Sequence, residues 1–395
     1  MKIMKIMIVM LVLITSVGAV CAADDISDEI ISDGGHDTLE IMQYDIYTTG
    51  ESSFSNMADE IENAGTTLDL TKDYTFNNAT DNNTGILISK DNFVLNGNGH
   101  ILDGNNQSRI FNITANNVTL NDLVLINANS DKGAAIRVNG TLTLNNITFI
   151  NNNAREFGGA IALYEDVTLI CNNSKFIDNA AERGAIFIQQ GKLNLYNAYL
   201  TSKTFSKAGQ IYGHTGSSIN IENTTFENII TNYSPAVYLS SSKARIINSK
   251  FNNLKANISA GAMSLREGGE LYIENCKFIN TTSSRNAGAV YVDITGYSQS
   301  EGNVTIVNSL FKDTDSEFGG AYIQLGGQLW LNNTEFINNH ATYNGGAIYL
   351  SFVDSAINNC TFDSNGVDDI AKFIYLLFAA NSNFICRCVF DFLAR

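Results

Sequence analysis

The side chains able to do chemistry in this chain are few and dispersed. Two groups of carboxylates stand close in sequence, Asp178 with Glu182 and Asp313 with Asp315 and Glu317. A carboxylate pair facing one cleft about 5 to 10 Å apart is the usual machinery of glycoside hydrolysis, yet neither group has a His or Arg constellation beside it. The four histidines, His36, His100, His214 and His340, are scattered. Arg183 and Arg245 lie near strand segments, without the acidic cluster that would hold calcium beside an arginine base. Cys386-Arg387-Cys388 has no second pair of ligands to complete a zinc site. These residues give no catalytic, cofactor-binding or metal site, and the chain is expected not to be an enzyme.

The elements carrying those residues are copies of one unit. An Asn stands three residues before a Phe, as in Asn333 and Phe336, and a Gly-Gly-Ala-Ile run follows some ten residues later, as in Gly345 to Ile348. The first landmark recurs at Asn146, Asn173, Asn197 (with Leu200 in place of Phe), Asn223, Asn248, Asn275, Asn308, Asn333 and Asn359. Successive copies lie about 25 residues apart, the signature of a solenoid. The expected fold is all-β: a right-handed, single-stranded parallel β-helix with three short strands per coil. Equivalent residues then stack in register at about 4.8 Å per coil.

Stacking gives each landmark a structural role. A corner Asn tolerates left-handed backbone angles, and its amide can both donate and accept toward the Asn above and below. The nine asparagines above are therefore read as a ladder. Gly at the turn permits a positive backbone angle. In the glycine-led strands, residues such as Ile136/Val138 and Ile348/Leu350 alternate inward. The outward position between them carries Phe187, Tyr212, Tyr238, Tyr291 and Tyr349, a stripe suited to a sugar chain or protein partner.

Residues 1–22 read as a signal peptide: Lys2 and Lys5, an apolar run from Ile6 to Ile14, then a small-residue exit. That run is shorter than the roughly 20 residues of a bilayer span, so the processed chain is not expected to be an integral membrane protein. Residues 23–50 form an acidic lead with the composition of a mobile tail. Residues 51–84 form an N-terminal cap, with a helix over Ser53 to Asn63 covering the open end of the solenoid. The repeats occupy 85–365, and 366–395 is a degenerate last coil. A formal charge of −16 argues against nucleic acid as a partner. Cys276 and Cys360 share a column three coils apart, roughly 14 Å at the strand spacing and too far for a disulfide. Sequons at Asn78, Asn112, Asn223 and Asn303 could accept glycans.

The landmarks Gly-Gly-Ala-Ile/Val and Phe-x-Asn-Asn, as in Phe149-Ile-Asn-Asn152 and Phe336-Ile-Asn-Asn339, resemble those of the polymorphic outer membrane proteins of chlamydiae. The sequence as a whole, including residues 93–104 and the Ser-Phe-Ser-Asn lead at Ser53, is more similar to the adhesin-like proteins of methanogenic archaea. The resemblance covers about residues 50–390 and implies a pectin-lyase-like β-helix at the cell surface. It further implies a secreted or surface adhesin that binds glycans or surface proteins of other cells. The alternative is a polysaccharide-active β-helix enzyme of pectin lyase or glycosidase type, because this architecture hosts such chemistry. His214, in Gly213-His-Thr, approaches the Gly-His-Gly of polygalacturonases but lacks their acidic companions.

Overall fold

The structure is a computed structural model that describes residues 52–295, 302–368, 374–377 and 382–386. The signal peptide, the acidic lead, and Arg387 and Cys388 of the cysteine pair lie outside the described residues, as do other parts of the expected last coil 366–395. The described chain is a parallel β-solenoid of about 11 turns with a single helix near its N-terminal end.

Three sheets run along the solenoid. The first is built from the glycine-led strands, as in Ile136–Val138, Ile161–Tyr164 and Ile186–Gln189, each paired in parallel with its counterpart in the next coil. The second follows from strands such as Leu142–Asn145 and Gln328–Asn332, and the third from the Phe strands such as Thr148–Ile150 and Glu335–Ile337. Alternation drives this arrangement: Leu142 and Leu144 are buried while Thr143 and Asn145 are not. Inside the third sheet, Phe226, Phe251, Phe278, Phe311, Phe336 and Phe362 stack as one column, with ring centroids 4.6 to 5.1 Å apart. One coil rise is therefore also the thickness of a stacked ring pair.

The corners explain the landmarks. All nine ladder asparagines have φ between 49° and 56°. Side-chain amide bonds join Asn223 to Asn197, Asn275 to Asn248, Asn333 to Asn308 and Asn359 to Asn333, at 2.7 to 3.3 Å. Asn146 donates instead to Asp122 at 2.6 Å. A second left-handed corner follows the Phe strand, at Asn151, Asp178, Asn228, Asn253, Asn280, Asp313 and Asn338. It has its own rungs, Asn253 to Asn228 and Asn280 to Asn253. The two glycines of each Gly-Gly turn differ in purpose. Gly345 has φ of 69°, whereas a Cβ on Gly320 would lie 1.9 Å from the carbonyl oxygen of Gly346 in the next coil. One glycine serves the bend and the other serves close approach between coils.

The coils carry more extended chain than the expected three short strands. In the middle coils the third strand runs on, as Tyr199–Ala208, Thr225–Tyr233 and Lys250–Ser259. Elsewhere a separate arm follows it, as Asn153–Phe157 or His340–Asn344. These arms bring apolar groups over the outer row of the first sheet. Ala260, Ala287, Tyr291 and Ile323 form a small second core there, packed by Phe318, Leu325 and Tyr349.

The cap is a helix over Phe54–Asn63 with Ser53 as N-cap, and Phe54, Met57 and Ile61 are buried. It packs against the strand Ile86–Ile88. Charges hold both ends. The Asp81 carboxylate accepts the backbone N–H groups of Phe54 and Ser55 at 3.0 and 2.9 Å. Lys90 Nζ donates to the carbonyls of Ile61, Glu62 and Ala64 at 2.6 to 2.8 Å. Both signs complement the helix dipole.

Burial acts to raise the Asp81 pKa, but bonds from Ser55, Asn77 and Phe54 outweigh it and hold the carboxyl below its ordinary 3.8. Its contribution to stability is therefore complete above about pH 4 and is lost as pH falls through the depressed folded value. Asp81→Asn is expected to cost about 1–2 kcal/mol near neutral pH and to flatten this acid dependence. Helix-amide exchange measured against pH checks both. An unchanged acid profile in the variant would show that Asp81 does not hold the cap.

Candidate functional site

The first sheet places the expected stripe in one row: Phe187, Tyr212, Tyr238, Ser264, Tyr291, Ile323 and Tyr349 are register partners in successive coils. Phe187 stacks on Tyr212 at 5.8 Å, and Tyr212 on Tyr238 at 4.7 Å. The row differs from an open platform. Phe187 is 1% exposed and Tyr291 6%, because the arms cover an apolar row that would otherwise face water. Phe157 from one arm stacks on Phe187 at 4.6 Å. Tyr212, Tyr238 and Tyr349 remain half-buried. Tyr212 and Tyr238 face a cleft of about 300 Å³ shared with Arg183, Lys207, Tyr233 and Arg266. Burial pushes the Tyr212 phenol up to about 12, so it is a neutral hydrogen-bonding group at ordinary pH.

The second sheet carries a more open face that the sequence reading passed over. Its outward row runs Asn194, Asn220, Arg245, Tyr272, Thr305, Trp330, one residue per coil. A neighbouring row supplies Lys192, Ser218, Lys243, Glu270 and Asn303. Together they line a shallow groove of about 810 Å³. Trp330, the only tryptophan in the sequence, is 46% exposed. Tyr272 lies two coils away, about 10 Å at the strand spacing, and its hydroxyl donates to Glu274 at 3.0 Å. Arg245 stacks over the Tyr272 ring at 5.5 Å, and Lys243 pairs with Glu270 at 2.8 Å. The signal was present in Leu271-Tyr-Ile273 and Leu329-Trp-Leu331: strand alternation alone turns both aromatics outward.

Of the carboxylates with catalytic spacing, Asp178, Glu182, Asp313 and Asp315 are drawn into bonds between coils. Asp178 accepts the Lys203 backbone N–H at 2.5 Å, and Glu182 pairs with Lys207 at 2.7 Å. Asp313 accepts from the Asn338 amide at 2.6 Å. Asp315 binds His340 Nδ1 at 2.7 Å, and Asp368 binds its Nε2 at 3.0 Å. His214 stands beside Tyr212, with ring centroids 6.3 Å apart. Of the groups singled out for chemistry, the fold brings Glu182 and Arg183 to the first-sheet cleft and Arg245 to the second-sheet groove. Cys171, Cys276 and Cys360 are buried, and burial pushes their thiols up to about 12, 12 and 11. Among the described residues no group of three or more His, Cys, Asp or Glu is placed to hold a metal ion. No described helix is long and apolar enough to cross a membrane.

No protein-family model matches the chain. A stretch of 120 residues is 30% identical to the metabotropic glutamate receptor-like protein P of Dictyostelium discoideum. A stretch of 198 residues is 26% identical to the probable autotransporter YfaL of Escherichia coli K12. These stretches cover 27% and 44% of this chain, but only 8% and 14% of the relatives' own lengths. Among solved structures, that of the alginate lyase AlyF-OU02 with G6 is similar, with a TM-score of 0.45 and 11% identity, over 82% of this chain and 86% of the lyase. This corrects the expectation that the chain is not an enzyme. That structure is of an alginate lyase, and a likeness at this TM-score and identity assigns no reaction to these residues.

Proposed function

We propose that this chain acts as a secreted or cell-surface β-solenoid that binds extended glycans along the open face of its second sheet, in the manner of an adhesin. One observation carries the reading. The chain's single tryptophan stands exposed on a regular strand, about 10 Å along the axis from Tyr272, in a groove that also presents amides, hydroxyls and the Lys243–Glu270 ion pair. Exposed aromatic faces flanked by amides suit the apolar faces and hydroxyl rims of sugar rings. A row repeating once per coil suits a polymer better than a compact ligand. The autotransporter match supports a surface setting.

The test is a glycan screen of the full chain beside Trp330→Ala, run together with a depolymerisation assay on the same polymers. Binding that falls in the variant supports the reading. Binding that ignores the substitution removes it. Shortened products from a bound polymer would add cleavage to what this surface does.

A further inference from the structure

The cleft over the first sheet carries a second, independent chemistry. Three cations line it, Arg183, Lys207 and Arg266, against one carboxylate, Glu182. Glu182 is already taken by Lys207 at 2.7 Å, and that bond holds its carboxyl below the ordinary range. The two guanidinium groups are placed differently. Arg183 lies between two rings, 5.2 Å from Phe157 and 5.7 Å from Tyr212. Arg266 lies over Tyr291 at 5.0 Å and donates one Nη to Ser259 Oγ at 3.2 Å. Its Nε–H is buried with no hydrogen-bond partner. Among the described residues neither arginine forms an ion pair, whereas Arg155 and Arg245 both meet carboxylates. Glu267, whose field reaches Tyr212 and Tyr238, hydrogen-bonds Ser240 Oγ.

In a chain with formal charge −16, two guanidiniums stand over aromatic rings beside one cleft with no carboxylate paired to either. Stacking fixes their planes but does not neutralise them, and a buried unpaired donor is costly. A planar carboxylate from outside would meet the guanidinium fork as a bidentate partner. The stacked pair Tyr212 and Tyr238 would lie beside it as an apolar wall with hydroxyl tips. A volume of about 300 Å³ is at the small end of ligand pockets, the scale of one ring and not a chain.

We propose that this cleft is a subsite for a carboxylate-bearing sugar, a uronic acid residue held by Arg183 and Arg266 against Tyr212 and Tyr238. The site is separate from the second-sheet groove and stands whether or not that groove binds glycans.

The test is calorimetric titration of the full chain with a hexameric uronic acid oligosaccharide and with the same oligosaccharide after reduction of its carboxyls to alcohols. The acidic form is expected to bind at least about tenfold tighter at low salt, losing that advantage as salt rises. Arg183→Gln combined with Arg266→Gln should erase the difference. Arg266→Lys, which keeps the charge without the fork, should retain part of it and serves if the double variant does not fold. Trp330→Ala should leave the difference intact. Equal binding of the two forms, no binding of either, or a preference that survives the arginine changes or vanishes with Trp330→Ala would each overturn the proposal.

Discussion

Phe278→Ala lowers the unfolding free energy by about 4 kcal/mol, within the 3–5 expected for removing a fully buried Phe. Phe278 is 0% exposed, and its ring lies 4.6 Å from both Phe251 and Phe311, within 5° of parallel. Truncation removes two stacked pairs, each worth about 0.5–1.5 kcal/mol beyond area burial, and leaves a void between coils held to their spacing by backbone bonds. Phe278→Leu should cost much less, about 1–1.5 kcal/mol. Leu200 already occupies this column, fully buried, in register between Phe176 and Phe226. Each coil touches only its neighbours, so the loss should show first in amide exchange of the coils around residues 250 and 311, with distant coils little changed. Urea unfolding of the three proteins orders them. An Ala variant as stable as the Leu variant would mean that the column is not packed as described.

Tyr272→Ala and Trp330→Ala are each expected to weaken glycan binding by about 5- to 150-fold, from 1–3 kcal/mol per lost aromatic contact. Together they should abolish binding at accessible concentrations. Stability should change by less than about 0.5–1 kcal/mol, because these side chains stand outside the core. The half-exposed Trp330 loses little burial on truncation, and Leu329 and Leu331 on either side of it keep the strand in place. This separation of effects marks a binding surface. Equal losses of binding and folding would assign the two aromatics to the architecture instead.

The solenoid was legible in the sequence because a parallel coil repeats its inward and corner residues. Ile at the first inward position, Phe in the third strand and Asn at the corner before it each answer to one fixed backbone environment. The second left-handed corner was less legible, since Asn151, Asp178 and Asn253 look like ordinary solvent-facing residues until their φ values are known. The arms were hidden for a related reason: 250–259 reads Lys-Phe-Asn-Asn-Leu-Lys-Ala-Asn-Ile-Ser, polar enough to pass for turn. Yet its backbone pairs with the coils on either side. That omission made the stripe of Phe187 and Tyr291 look open, when the arms bury both. The stripe drew attention because it is dense in aromatics, while Tyr272 and Trp330 stand apart with Thr305 between them. Nothing in the sequence placed Arg183 and Arg266, 83 positions apart, on one cleft; only the coil-by-coil register does that.

Trp330 is the chain's only tryptophan, so its fluorescence reports on the second-sheet face without labelling. The central claim is that this face is where an extended glycan lies. Titration with a glycan that binds should give a saturable change in Trp330 emission, with a blue shift as the ring leaves water, at the same midpoint as calorimetry. Calorimetric binding with Trp330 emission unchanged through saturation would place the ligand elsewhere and contradict the account.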